Sequence, residues 1–209
     1  MYNKGILLII SGPSGAGKGT VVKELLKEEG KYCLSTSVTT RAPRPGEEEG
    51  VAYYFRTEKE FKKLIENGSL LEYAIFCGNF YGTPTKYVEQ QLSEGKNVIL
   101  EIEVQGAIQV KEKYPDAVLI FLTPETIQDL QDRLRGRATE TDDVINMRLR
   151  RATEEVKLLN KYDYVVLNDL VRNATERINA IVETEKFRAA RNLDFSEQFL
   201  SKKGVDTNA

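Results

Sequence analysis

Histidine and tryptophan are absent from the 209 residues, and cysteine and methionine occur only twice each. Without histidine there is no Ser-His-Asp triad, no imidazole metal site and no imidazole acid–base catalysis. The two cysteines, Cys33 and Cys77, stand far apart and outside any metal-ligand spacing, which fits a reduced, cytoplasmic protein. No apolar run approaches the roughly 20 residues that span a bilayer, so no membrane partner is expected. The N-terminal "MYNKGILLIISG" lacks a small-residue cleavage site and is read as a first strand, not a signal peptide. A large charge excess is missing too. The formal net charge is −2, which argues against a nucleic-acid polymer but leaves room for a local arginine cluster that binds small anions. The composition fits a monomer and a homo-oligomer alike.

What remains for chemistry is Lys, Arg, Asp, Glu, Tyr and the backbone. Phosphoryl transfer manages with these, because it depends on positioning and charge neutralisation more than on proton shuttling.

The patterning is that of an α/β protein. "GILLIIS" (5–11), "NVILEIEV" (97–104), "AVLIFLTP" (117–124) and "YDYVVLND" (162–169) are apolar runs suited to strands buried on both faces of a parallel sheet. Helical stretches separate them: "KGTVVKELLKEE" with Gly30 as its stop, "GAIQVKEKY", "TPETIQDLQDRLRGR" and "DDVINMRLRRATEEVKLLNKY". The alternation predicts right-handed βαβ units with helices on both sheet faces. A last helix over about 170–191 presents Ile178, Ile181 and Val182 on one face, and the tail 192–209 is weakly patterned.

Residues 38–90 break the rhythm with short aromatic strands, the loop-like "TTRAPRPGEEEG" with its two prolines, and a helix opened by a Thr57–Glu60 capping box. They are read as a small mixed α+β insert on a core made of 1–37, 91–135 and 156–191. The polar segment 136–155 is read as a short mobile lid.

The sharpest motif is "GPSGAGK", which places Gly12, Pro13, Ser14, Gly15, Ala16, Gly17 and Lys18 in the G-x-x-x-x-G-K pattern between a strand and a helix. Its glycines let successive N–H groups turn inward, the helix N-terminus adds partial positive charge, and Lys18 can reach the β and γ phosphates of a nucleotide. The next residue is Gly19, where the pattern usually offers a hydroxyl to Mg²⁺; the nearest hydroxyl is on Thr20. Mg²⁺ held mainly by phosphates and water accommodates that change.

Further residues fit a nucleotide site. Arg41 and Arg44, around a stiffening proline, form a pair of guanidinium forks suited to a phosphate dianion. Tyr53 and Tyr81 offer hydroxyls from neighbouring strands. Strand periodicity puts Glu101 and Glu103 on one face at the carboxyl edge of the sheet. Arg133, Arg137 and Arg148 flank the polar interruption, with Arg135 and Arg151 as alternatives in the same run.

With "SGPSGAGKGT", "STSVTTRAPRPGE", "YYF", "LLEYAIFCGNFYGTP", "EIEVQG" and "RLRGRATET" in this order over about 5–185, the chain resembles the guanylate kinase family of P-loop kinases. The resemblance implies a P-loop NTPase-type fold, ATP as donor, GMP as acceptor and Mg²⁺ as cofactor. It implies that Gly12 to Thr20 bind ATP and that Arg41, Arg44, Tyr53 and Tyr81 hold the phosphate of GMP. It implies that Glu72 accepts from the N1–H and N2 amine of guanine, with Ser37 and Thr83 adding hydroxyls and Glu47 and Glu103 nearby. Lys18, Arg41, Arg133, Arg137 and Arg148 become the catalytic cations, and Thr20 and Glu101 the protein groups nearest the metal. Two rivals share parts of this pattern. An adenylate kinase-type enzyme would share "GKGT" but not the insert. A non-catalytic guanylate-kinase-like interaction module would keep the fold but typically not an intact phosphate loop.

Overall fold

The computed structural model describes residues 4–76, 78–136 and 141–201. Cys77, Arg137 and the tail from residue 202 lie outside these. The central strand β1 (Leu7–Ser11) is buried along its whole length. Its side chains alternate between two cores: Leu8 and Ile10 pack on one face of the sheet, Leu7 and Ile9 on the other. That alternation on an unbroken apolar run is what burial on both faces demands. β7 (Asn97–Glu101) and β8 (Val118–Thr123) flank β1; β2 (Tyr32–Leu34) and β9 (Tyr164–Leu167) complete a parallel sheet of order β2-β7-β1-β8-β9. α1 (Lys18–Leu25) and α7 (Val171–Lys186) cover one face, while α3 (Thr85–Ser93) and α4 (Val104–Lys113) cover the other.

A second sheet, of order β4-β3-β6-β5, draws its strands from residues 38–84: β3 (Val38–Thr39), β4 (Tyr54–Phe55), β5 (Leu70–Phe76) and β6 (Asn79–Pro84). β3 runs parallel to β4 and antiparallel to β6. α2 (Glu58–Glu66) closes a small core around Phe61, and its Thr57–Glu60 capping box forms as the sequence predicts. α5 (Ile127–Arg135) and α6 (Asp142–Val156) pack through Leu130, Leu134, Ile145 and Ala152. Among the described residues no helix is long and apolar enough to cross a membrane.

Four features differ from the sequence expectation. α1 stops at Leu25, before Gly30, because the chain already turns through Leu26–Lys31. The strand read over 97–104 ends at Glu101, and Val104 opens α4. The last long helix ends at Lys186, followed by a 3-10 turn (Ala189–Arg191) and α8 (Phe195–Ser201). β2 and α3 form where the sequence showed no separate element, both seated on β7.

The C-terminal part of the core is fastened by a buried ion pair. Arg191 donates to Glu185 through Nε at 3.1 Å and Nη2 at 2.9 Å, and to the Asp116 carbonyl at 2.6 Å. Tyr164 also donates to Glu185 at 2.7 Å. Burial alone would raise the Glu185 pKa, but these hydrogen bonds outweigh it and hold the carboxyl below its usual range. The pair's stabilisation is therefore present at neutral pH and lost as pH falls through that depressed value. Arg191→Ala should lower unfolding free energy by about 3–5 kcal/mol, since it strands a buried carboxylate; the double change Arg191→Met with Glu185→Leu should recover most of the loss in denaturant titrations.

Candidate active site

The loop Gly12–Gly17 leaves β1 at the carboxyl edge of the sheet, beside the point where strand order diverges to β7 and β8, the usual crevice for ligands in such sheets. Gly12 has φ 138°, and a β-carbon there would collide with the Leu122 carbonyl; the loop can only leave the sheet through glycine. Gly15 and Gly17 also have positive φ, 96° and 91°. Lys18, the first residue of α1, turns its ammonium back to the Gly12 and Pro13 carbonyls at 2.6 and 3.1 Å. Burial lowers its pKa, opposed by the carboxylates of Glu101, Glu155 and Glu103. Gly19 and Thr20 follow as exposed residues on the first turn of α1.

Glu101, at the tip of β7, has its carboxylate oxygens 3.5 and 3.6 Å from where a β-carbon on Gly19 would stand. A hard oxygen donor thus lies beside the residue that lacks a hydroxyl. Among the described residues no cluster of three or more acidic, Cys or His side chains could cage a metal. This donor set suits a Mg²⁺ ion whose shell is mostly phosphate and water, with Glu101 at its edge. Glu103 lies beyond the end of β7, whose last residue is Glu101, and both carboxylates act on the Lys18 ammonium. Glu103 is the N-cap residue of α4, still extended in its own backbone, and it pairs with Arg151 of α6.

The arginines gather at the phosphate loop. Arg133, at the end of α5, donates to the Ala16 carbonyl at 3.3 Å and the Asn168 carbonyl at 2.5 Å. Arg148 donates to the Ser14 hydroxyl at 2.9 Å. Arg135 points away, toward Asp142 at 3.8 Å. Arg151 also donates to Glu155 at 2.9 Å, and burial raises the pKa of that carboxyl. Glu155 and Asn168 belong to this cluster although neither sits in a recognisable motif; Glu155 pairs with Arg151 one helical turn away, an ordinary surface spacing, and the partners of Asn168 lie far away in sequence.

The second sheet supplies a matching half-site. Arg41 is bound by Glu47 at 2.8 and 2.9 Å and stacks over the Tyr53 ring at 5.3 Å. Tyr53 meets Tyr81 edge-on at 6.0 Å. Glu47 also accepts from the Arg44 backbone N–H at 2.8 Å, which folds the loop so that both arginines leave from one turn. The hydrogen bond from Arg41 and that from the Arg44 backbone hold the Glu47 carboxyl below its usual range. The Arg44 side chain is exposed. Ser37 is half-buried, its carbonyl bound by the Tyr54 N–H at 2.8 Å.

Glu72 owes its position to a β-bulge. On the β5–β6 ladder Leu70 faces Pro84 and Tyr73 faces Gly82, so Leu71 and Glu72 together oppose Thr83. Strict alternation would expose one of the two; the bulge buries both, Leu71 to 1% and Glu72 to 4% exposure. Thr83 donates to Glu72 Oε1 at 2.7 Å, and Gly106 of α4 leaves room for Oε2, where a β-carbon would stand at 3.0 Å. Burial raises the Glu72 pKa, partly offset by the Thr83 hydrogen bond and by Lys113. Tyr81 and Thr83 lie two apart on β6 and share a face, so the aromatic clamp and the buried carboxylate address one cleft.

The chain is similar to known proteins over nearly its whole length. The family model described as guanylate kinase matches residues 4–185. The chain is 53% identical over 191 residues to a guanylate kinase of Lactococcus lactis subsp. lactis (strain IL1403), covering 91% of this chain and 93% of that one. It is 50% identical over 203 residues to a guanylate kinase of Streptococcus pneumoniae (strain ATCC BAA-255 / R6), covering 97% and 98%. The crystal structure of guanylate kinase from Anaplasma phagocytophilum superposes with a TM-score of 0.77 at 34% identity, covering 96% of each chain. Loop, clamp and buried carboxylate thus stand on a chain matched nearly end to end, and the chain belongs to the guanylate kinase family.

Proposed function

We propose that the protein transfers the γ-phosphoryl group of ATP to GMP, giving ADP and GDP. The observation that carries this reading is Glu72: a carboxylate buried by a bulge, with one oxygen held by Thr83 and set in the same cleft as the Arg41–Tyr53–Tyr81 cluster. Guanine presents two adjacent donors, N1–H and the N2 amine, and an ionised carboxylate accepts both. Adenine lacks that pair and would leave the buried charge unanswered, a mismatch worth about 10⁴ in well-built sites.

In this reading residues 38–90 form the acceptor unit and 136–155 the closing segment. Arg41, Arg44, Tyr53 and Tyr81 hold the acceptor phosphate, with Glu47 fixing the arginines and Ser37 and Thr83 lining the base. Glu103 stands at the boundary of base site and closing segment. Gly12 to Thr20 take the donor phosphates, with Lys18 supplying charge at the β and γ positions. Arg133, Arg137 and Arg148 neutralise charge developing on the transferring group. Glu101 and Thr20 are the chain's groups that would face a bound Mg²⁺, which would supply positive charge against the donor phosphates. No strong base is needed, because the accepting phosphate oxygen is already anionic. The reading makes the protein a cytoplasmic enzyme of purine nucleotide metabolism.

A coupled ADP-release assay should show turnover with GMP far above that with AMP, UMP or dTMP; AMP turnover equal to GMP turnover would defeat the reading. Glu72→Gln should raise the KM for GMP by about 10² or more with the KM for ATP nearly unchanged, since a neutral amide opposes guanine donors with a donor of its own. Lys18→Ala should lower kcat by about 10² or more, measured at saturating nucleotide. The raised Glu72 pKa sets a pH dependence. GMP needs the ionised form, so GMP affinity should weaken on acidification while pH is still above the ordinary glutamate value of about 4.3; ATP affinity measured in parallel should hold over that same interval.

A further inference from the structure

Asn168 follows β9 and is 3% exposed, and its backbone N–H, backbone carbonyl and side-chain Nδ2 are each engaged at the phosphate loop or beside it. Its N–H donates to the Thr123 carbonyl at 2.8 Å, which fixes it to the end of β8. Its side-chain Nδ2 donates to the Ala16 carbonyl at 2.7 Å. Its own carbonyl accepts from Arg133 Nη2 at 2.5 Å, and Arg133 Nη1 reaches the same Ala16 oxygen at 3.3 Å. One loop carbonyl is therefore held by two donors from two different elements, and those donors are held to each other.

The consequence follows from peptide geometry. The Ala16–Gly17 bond is a trans amide, so the Gly17 N–H points opposite to the Ala16 C=O. An oxygen drawn outward to Asn168 and Arg133 turns that N–H to the opposite side of the loop, the side on which a phosphate-binding cradle presents its donors. A peptide free to rotate would present the carbonyl oxygen to the phosphate for part of the time, and repel it. Gly17 is fitted to the same contact: a β-carbon there would stand 2.5 Å from Asn168 Nδ2.

We infer that Asn168 is a positioning residue of the donor site, whose buried amide, with Arg133, sets the Ala16–Gly17 peptide so that its N–H faces the donor phosphates. The inference rests on the reading of Gly12–Thr20 as the ATP site. It concerns a residue that touches the loop and need not touch the nucleotide.

The test compares wild type, Asn168→Ala and Asn168→Asp. Asparagine and aspartate have nearly the same shape, but aspartate turns an acceptor toward the Ala16 carbonyl. Calorimetry with the non-hydrolysable analogue AMP-PNP should show a dissociation constant raised about tenfold in the alanine variant and further in the aspartate variant, while that for GMP stays within about twofold. Amide NMR supplies a readout that a purely structural role would not move: the shift of the Gly17 N–H on ADP addition should shrink in both variants. Unchanged AMP-PNP affinity in the alanine variant overturns the inference. Equal weakening of AMP-PNP and GMP, or loss of folding in both variants, overturns it too, because the amide then supports the sheet and not the loop. Wild type that binds GMP but not AMP-PNP would instead overturn the donor-site reading, and is recognised before any variant is made.

Discussion

A loop that grips phosphate must turn its N–H groups inward and give its carbonyl oxygens other company. The structure meets both demands at once. The Gly12 and Pro13 carbonyls accept from Lys18, and the Ala16 carbonyl from Asn168 and Arg133. Left unpaired, such oxygens would cost about 1–3 kcal/mol each when buried and would oppose an anion directly. The glycines are needed for the same reason: they supply the positive φ angles that let the chain double back between β1 and α1 without colliding with β8. Sheet order, helix placement and the ends of β8 and β9 are thus all expressed in the geometry of six loop residues.

The acceptor side solves a different problem, that of keeping charge in a dry place. Glu72 is brought inward by a bulge and not by a loop, so it sits on a hydrogen-bonded ladder and keeps its direction. Arg41 and Glu47 are arranged in the opposite way. They neutralise each other at the rim, where water screens them, and a phosphate dianion can take over the Arg41 fork without exposing a buried charge.

Much of this was legible in the residues. β1 read as a strand buried on both faces, the phosphate loop had its strand and helix context, and α2 announced itself through its capping box. Glu72 was legible only through the family's "LLEY" and its neighbours; burial by a bulge has no signature in the strand pattern, since a one-residue shift between two strands is a property of the pair. Glu103 reads as part of the strand because a glutamate before "VQG" suits strand end and helix cap equally; the strand stops at Glu101 and Glu103 takes the N-cap of α4. Asn168 was invisible: its partner on the loop lies 152 positions away, and a lone asparagine after a strand carries no spacing to interpret. β2 and α3 escaped notice because each is short and owes its form to contact with β7 more than to its own sequence.

The two arginine-bearing helices differ in how they are fastened. α5 is joined to the loop through buried backbone oxygens, whereas α6 meets its surroundings through Arg148 on the Ser14 hydroxyl and Arg151 on Glu103, at the surface. Dissolved ions shield the second kind of contact and scarcely reach the first. Ionic strength therefore weakens the fastening of α6 and leaves that of α5 in place, so that solution conditions act on one of the two helices and not on the other.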